Sequence, residues 1–523
     1  MQSVVKLFVQ KCKPDFSLPW QRKRQLQTSG SGFPISNRRI LTNAHVVCDQ
    51  TSVRIRKHGD PKKYQAHVIH VGHECDIAVV GVDDDGFWEG LEPLEFGGVP
   101  ECQDNVVVVG FPAGGDTLCV TCGVVSRVEV QNYCHSGREL LAIQIDAAIN
   151  AGNSGGPALK DDKVIGIAFE SLKKAENIGY IISIPVVERF LQDLERNGRY
   201  TGFCDLGVYE QDIESSHMRK YLKMGEDETG VLVRKVLKTS CGHGQILRGD
   251  VLMEINSVKI ADDGSVHFRG KERIYWCHLV HMAFPGETIT ATVLRAGKKL
   301  SVDITAGIHS ELVPRLFDVQ PSYVVYSGLV FTTLSRPYLE HRYDDLWITK
   351  GPVRFSDIVF NQVQEKTDEG IVILSQVLAS EVTTGYESGF SNMQLFRVNG
   401  ISVLNLIHLC HLLDQFSKPH VVEEPDDKEA VSSSDAKGEE TVEGVSSDES
   451  KEGVADFTAL QNDQNDSFDD LVLLDCVNFL HFDLERNKAI VLEIEPALKK
   501  SGEMLKTYGI SSPRSQDLPQ QKY

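Results

Sequence analysis

Gly152-Asn153-Ser154-Gly155-Gly156-Pro157 places a serine directly before two glycines and two residues after a third. Glycine reaches positive φ without a steric penalty, so such a loop can turn tightly and aim backbone N–H groups inward. Acyl transfer needs this combination of a serine nucleophile and nearby backbone donors to hold an oxyanion. Strand-like runs flank the loop, Leu141-Ala142-Ile143-Gln144-Ile145-Asp146 before it and Val164-Ile165-Gly166-Ile167-Ala168-Phe169 after it. The serine is therefore expected on a loop held between two strands, a rigid support for a reactive group.

A serine hydroxyl is a weak nucleophile at neutral pH. It needs a base to take its proton, and the base needs an acid to fix its tautomer. The candidates are His45, which ends Thr42-Asn43-Ala44-His45, and Asp76, which precedes the apolar run Ile77-Ala78-Val79-Val80. A carboxylate leading into a buried run is costly without a partner. Taken singly, each residue has a bland reading: a histidine after a strand, a turn aspartate, a serine in a glycine-rich loop. Together their order, His then Asp then Ser, is that of chymotrypsin-type enzymes and differs from the subtilisin and α/β-hydrolase orders. An esterase is disfavoured, because the serine loop is not set between a strand and a helix as a nucleophile elbow requires.

Working outward, residues 1–198 read as one β-rich unit. Short strands recur in Ser3–Val9, Val53–Arg56, Ala66–Val71, Asn105–Gly110 and Gly123–Val128, punctuated by Gly, Pro and Asp. That spacing predicts a barrel or sandwich. A helix closes the unit, with Pro185 in its first turn, Val187, Phe190, Leu191 and Leu194 on one face, and Gly198 at its stop. A second unit follows at 199–308, and a third at 309–500. In the third, Asn399-Gly400 signals a tight turn and Val403, Leu406, Ile407, Leu409 and Leu412 form a helical stripe. Residues 501–523 read as a loose tail.

At 523 residues the chain exceeds one ordinary core, and 41% apolar with 24% charged residues is a globular balance. No apolar run reaches membrane-spanning length, so no membrane insertion is expected. The formal charge of −20 is uneven: residues 421–470 carry 17 acidic residues against three lysines, a local balance of −14, leaving −6 for the rest. This segment has too little apolar surface to offset its ordering entropy and reads as a disordered insertion. With no basic face, nucleic-acid binding is not expected. Gln21-Arg22-Lys23-Arg24 reads as a solvated loop rather than a nuclear address. The fold is expected to begin close to Met1, without a secretory pattern. The twelve cysteines show no disulfide framework, which points to reduced thiols in an intracellular compartment. The single Cys119-x-x-Cys122 pair is a weak zinc signal, and no metal or other cofactor is expected.

The runs T-N-A-H-V-V (42–47), D-I-A-V-V (76–80) and G-N-S-G-G-P (152–157) resemble those of the HtrA/Deg (Do-like) serine protease family. The long third unit after a PDZ-like second one resembles its plant branch. The resemblance implies a mainly β chain: a chymotrypsin-like double β-barrel, then a PDZ domain (199–308) and a PDZ-like α+β domain (309–500). It implies an ATP-independent serine endopeptidase that degrades unfolded or damaged proteins and assembles as a trimer-based homo-oligomer, in the mitochondrion or nucleus. Ser154 would attack, His45 would shuttle the proton and Asp76 would orient it. Gly152, Asn153 and Ser154 would supply the oxyanion amides. Ile149 and Ile181 would line an aliphatic S1 pocket, and Leu206-Gly207-Val208 would capture a peptide carboxylate. Glu129–Ser136 would be the sensor loop. Two positions depart from the family pattern: Pro34 inside a strand, which an edge or a bulge would accommodate, and Ser183 in place of a proline. The competing reading is a catalytically silent chaperone or scaffold acting through its PDZ units.

Overall fold

The computed structural model describes residues 3–112, 114–171, 178–344, 346–417 and 478–520. Its first part closes into two antiparallel barrels. The first is built from β1 (Val5–Lys11), β2 (Leu26–Ile35), β3 (Arg39–Thr42), β4 (Gln50–Lys57), β5 (Tyr64–Gly72) and β6 (Ile77–Gly81), in the order β1-β2-β3-β6-β5-β4. The second holds β7 (Asn105–Gly110), β8 (Cys119–Asn132), β9 (Glu139–Ile145), β10 (Pro157–Lys160), β11 (Lys163–Ser171) and β12 (Gly179–Ser183), in the order β10-β11-β12-β9-β8-β7. Two short helices, α1 (Ala44–Val47) and α2 (Asp85–Trp88), lie in connections of the first barrel. Alternation fills each interior. Val5, Leu7 and Val9 of β1 pack with Ile40, Val53, Ile55, Ala78 and Val80. Burying each such aliphatic side chain stabilises by about 1.5–3 kcal/mol, and closure leaves no free strand edge.

Pro34 sits opposite Ile40, two residues beyond the point where β2 parts from β1 at the Val5–Gly32 pair. One side of β2 is unpaired there, so the missing donor costs no ladder bond. Cys119 and Cys122 are three apart on β8, and their thiols therefore leave opposite faces of the strand. Of the expected sensor loop, Glu129–Asn132 is the end of β8, and only the turn from Tyr133 to Arg138 leaves the ladder.

Helix α3 (Ile184–Asn197) ends where the sequence placed the unit boundary. Gly198 at φ 67° caps it and donates to the Leu194 carbonyl at 2.9 Å. Ser183, in the proline position, precedes α3 and donates from Oγ to the Leu141 carbonyl at 2.9 Å. The second unit is a sheet with the path Val208–Gln211, Val231–Val236, Val251–Ile255, Thr288–Arg295, Lys298–Thr305. Its core is continuous with the second barrel. Arg189 of α3, 1% exposed, stitches the two with donations to the Ala283 and Gly202 carbonyls at 3.0 and 3.3 Å.

The third unit is a seven-stranded sheet from Tyr323 to Glu493 with helices Leu406–Phe416 and Ile494–Thr507. Asn399 and Gly400 both take positive φ in a two-residue hairpin turn. The acidic segment 421–470 and the run 471–476 lie outside the described residues. The expected loose tail is corrected. The last helix runs to Thr507, Ile510 and Leu518 are buried, and Val325 N–H bonds the Pro513 carbonyl at 2.7 Å. Arg514 pairs with Asp414 at 2.9 Å, which pins this end to the sheet and its helix. The N-terminal segment also docks here: Phe16 joins a core with Leu312, Leu334, Trp347 and Phe355.

Candidate active site

His45 lies on α1, directly after the strand that delivers it, and Asp76 ends the turn before β6. Asp76 holds φ at 54°, a left-handed conformation that aspartate tolerates better than most residues. This backbone aims both carboxylate oxygens at His45. Oδ2 lies 2.7 Å from Nδ1, and Oδ1 accepts the His45 backbone N–H at 2.8 Å. Asn43 Nδ2 donates to the Asp76 carbonyl at 2.9 Å and locks the turn. Asp76 is 1% exposed. Burial pushes its carboxyl upward, but the charge and hydrogen bond of His45 outweigh burial and hold it below the ordinary aspartate value. A carboxylate at Nδ1 keeps the proton there and leaves Nε2 as the acceptor. Lys11, buried on β1, donates from Nζ to the His45 carbonyl at 2.6 Å.

The serine loop is clamped to the first barrel. Ser31 N–H donates to the Ser154 carbonyl at 2.9 Å, and Ser31 Oγ donates to the Gly152 carbonyl at 2.7 Å. Thr42 Oγ1 holds the Ser31 carbonyl at 2.7 Å. Gly155 leaves no room for a side chain: a Cβ there would lie 2.2 Å from the Ser31 carbonyl oxygen and 3.1 Å from Asn43 N. The loop thus sits against the segment that leads into His45. Among the described residues no hydrogen bond joins the His45 ring to the Ser154 hydroxyl. Such bonds are often long in substrate-free sites and tighten in the complex.

Asn153 N–H bonds the Asn150 carbonyl at 2.9 Å with Gly152 at φ 100°, which defines a type II turn. The Asn153 amide is therefore consumed inside the loop. The N–H groups of Gly152 and Ser154 have no acceptor among the described residues.

Beside the pair lies a cluster that no local sequence signal announces. The His135 ring stands 6.2 Å from His45, and its Nε2 is 3.1 Å from His73 Nδ1. Phe317, from the segment 309–322 that links the second unit to the first strand of the third (Tyr323–Tyr326), stacks on His73 at 4.4 Å and packs on His135 at 4.5 Å. Burial pushes the His135 imidazole down to about 4, against the opposing pull of Asp76.

Ile149 and Ile181 are both buried in the second barrel's core, and Ile149 packs against Gly179 of β12. Leu206 is fully buried, Gly207 takes φ 64° and Val208 opens the edge strand. The Gly207 amide is already engaged by the Asp205 carboxylate at 2.8 Å. Asp205 also pairs at 3.1 Å with Arg138, where the turn from Tyr133 ends.

Two closed barrels with a serine loop, a buried aspartate and a histidine between them define a trypsin-like serine peptidase. The family model "Trypsin-like peptidase domain" matches residues 30–167 and "PDZ domain" matches residues 313–517, the unit read from sequence as PDZ-like. "Protease Do-like 2, chloroplastic" of Arabidopsis thaliana is 44% identical over 435 residues, covering 82% of this chain and 70% of its own. "Protease Do-like 4, mitochondrial" of the same plant is 42% identical over 415 residues, covering 79% and 77%. Among solved structures, the HtrA-type protease AlgW with a decapeptide is 23% identical with a TM-score of 0.46, over 59% of this chain and 96% of its own. The chain belongs to the Do-like (HtrA/Deg) family of serine proteases, and it is a serine endopeptidase that acts on protein substrates.

Proposed function

We propose that this endopeptidase cleaves unfolded or damaged protein chains without ATP, through Ser154, His45 and Asp76. Ser154 Oγ attacks the scissile carbonyl as Nε2 of His45 takes its proton. The buried Asp76 carboxylate stabilises the imidazolium, which then protonates the leaving amine. The tetrahedral oxyanion is received by the Gly152 and Ser154 amides. Asn153 acts through the turn its own amide closes rather than as a third donor. The observation that carries this reading is the 2.7 Å His45–Asp76 contact beside a serine loop with two unspent amides. Ile149 and Ile181 favour small or medium aliphatic residues at P1. The second unit, 199–308, is a PDZ domain, and a peptide carboxylate arriving at Leu206-Gly207-Val208 must displace Asp205 from Gly207. This would loosen Arg138, leaving it the Phe203 carbonyl and Glu74. A trimer-based assembly and a mitochondrial address complete the reading, the latter supported by the name of one relative. The test is a fluorophosphonate probe with unfolded casein as substrate. Labelling confined to Ser154, with cleavage after aliphatic residues, is expected. An unlabelled Ser154 with retained casein binding would replace the peptidase reading with a scaffold.

A further inference from the structure

The cluster beside the catalytic pair has the donor set of a metal site. Cys48 Sγ, a ring nitrogen of His73 and a carboxylate oxygen of Asp318 all lie within 4.8 Å of one another. Tetrahedral zinc with Zn–S of about 2.3 Å and Zn–N of about 2.0 Å sets its donors about 3.5 Å apart, so roughly 1 Å of closure would bring these three onto one ion. The supporting contacts are already built. His73 Nε2 faces Asp318 Oδ2 at 2.9 Å, while its Nδ1 meets His135 Nε2 at 3.1 Å. Metal-ligating histidines commonly give their second nitrogen to an acceptor in this way, which fixes ring and tautomer. Asp318 is further held by the Asp49 backbone N–H. The Asp49 carboxylate lies 3.6 Å from Cys48 Sγ, outside the group of three donors. One thiolate, one imidazole and one carboxylate suit zinc rather than the hard cations magnesium and calcium.

We propose that Cys48, His73 and Asp318, with the fourth position left to water, form a zinc site that ties the linker between the second and third units to the catalytic loops. Binding deprotonates the Cys48 thiol, and the proton leaves to solvent. No redox change is involved. Cys48 follows His45 by three residues and His73 precedes Asp76 by three, so one ion would hold both catalytic loops together with the linker. Phe317, stacked on His73, would be fixed over His135 by the same ion. The site stands whether or not the substrate reading above holds.

The experiment uses the full chain, reduced and stripped of metal with a chelator, titrated with Zn²⁺ and with Co²⁺ as a spectroscopic substitute. One equivalent of Co²⁺ should produce a thiolate-to-cobalt charge-transfer band that Zn²⁺ abolishes by displacement. Losing an outer-shell partner already costs about 10–100-fold in affinity, so Cys48→Ser and His73→Ala should each weaken Zn²⁺ by at least about tenfold, the former with loss of the band. Replacing the exposed thiols Cys102 and Cys122 with serine should leave both readouts unchanged. Asp318→Asn alters an exposed linker residue and should fold even if the Cys48 variant does not. It too should weaken Zn²⁺. No band in the parent chain, a band undiminished in Cys48→Ser, or parental Zn²⁺ affinity in Asp318→Asn would overturn the site.

Discussion

Replacing Asp76 with asparagine tests the catalytic pair at its most sensitive point. The side chains are nearly isosteric, and the asparagine oxygen can still accept the His45 backbone N–H that Asp76 Oδ1 holds at 2.8 Å. The amide nitrogen then faces His45 Nδ1 across the 2.7 Å contact. It can only donate there, so Nδ1 must act as acceptor and the ring proton moves to Nε2. That nitrogen is the one required to take the serine proton. The lost charge adds to the tautomer effect: two unit charges about 4 Å apart at an effective dielectric of 20 interact by about 4 kcal/mol, near three decades in rate. With the tautomer error included, kcat on unfolded casein should fall about 10³–10⁴-fold. Fluorophosphonate labelling of Ser154 should slow in parallel, while the thermal melt confirms a folded variant. A loss below about tenfold in a folded protein would mean that Asp76 does not orient the base, and the triad would have to be abandoned.

Ser31→Ala removes the hydroxyl that joins the Gly152 carbonyl to the Phe111 N–H, leaving two buried polar groups unpaired. A stability loss of about 1–3 kcal/mol and a kcat loss of about 10–100-fold are expected. Unchanged kcat would show that the clamp does not position the loop. Gly155→Ala drives a methyl onto the Ser31 carbonyl at positive φ, and should yield a soluble chain, if any, without probe labelling. Full labelling would refute the packing. His135 is held neutral by burial, with a folded value of about 4 against about 6.5 unfolded. Between these values the unfolded chain binds the extra proton. Its contribution is therefore complete above about pH 6.5 and lost as pH falls toward 4. The upper bound is ~3 kcal/mol, and ~1–2 after allowance for the ring's partial exposure. His135→Gln should flatten the stability profile across that window in chemical denaturation. An unaltered slope would place the acid sensitivity elsewhere, as at His278, also pushed by burial to about 4.

How much of this site could be read in the sequence depended on how far each cause lies from its effect along the chain. His45, Asp76 and Ser154 each carry their context with them: a strand before, an apolar run after, or glycines alongside. The tight turn at Gly152 was legible for the same reason, since the positive φ a glycine permits is a local matter. Asn153 was read as a donor because sequence names residues, not the direction of their N–H groups; the turn hydrogen bond to Asn150 spends that donor. Ser31 carries no local signal, because its partners, Gly152 and Phe111, are remote in sequence and belong to the other barrel. The last residues misled by composition. Ser511-Ser512-Pro513-Arg514-Ser515 is polar enough to read as loose, but its backbone pairs with the Tyr323–Tyr326 strand and its arginine finds Asp414.

The linker shows the same limit and also why it matters. Phe317 and Asp318 have no motif, and nothing near them hints at catalysis. Their role appears only when His73, three residues before Asp76, and Cys48, three residues after His45, are brought within reach. Short offsets of this kind mean that any force on the cluster is passed to both members of the catalytic pair through a single turn of backbone. Asp205 loads the opposite side through Arg138, which sits three residues after His135 at the end of the turn from Tyr133. His135, beside the catalytic histidine, is thus flanked by one contact from the second unit and one from the linker beyond it. Because both end on His135 or its turn, their effects should be non-additive. A double variant Arg138→Ala with Phe317→Ala should change kcat on casein by less than the product of the two single changes. Strict multiplicativity would show that the two paths reach the site separately.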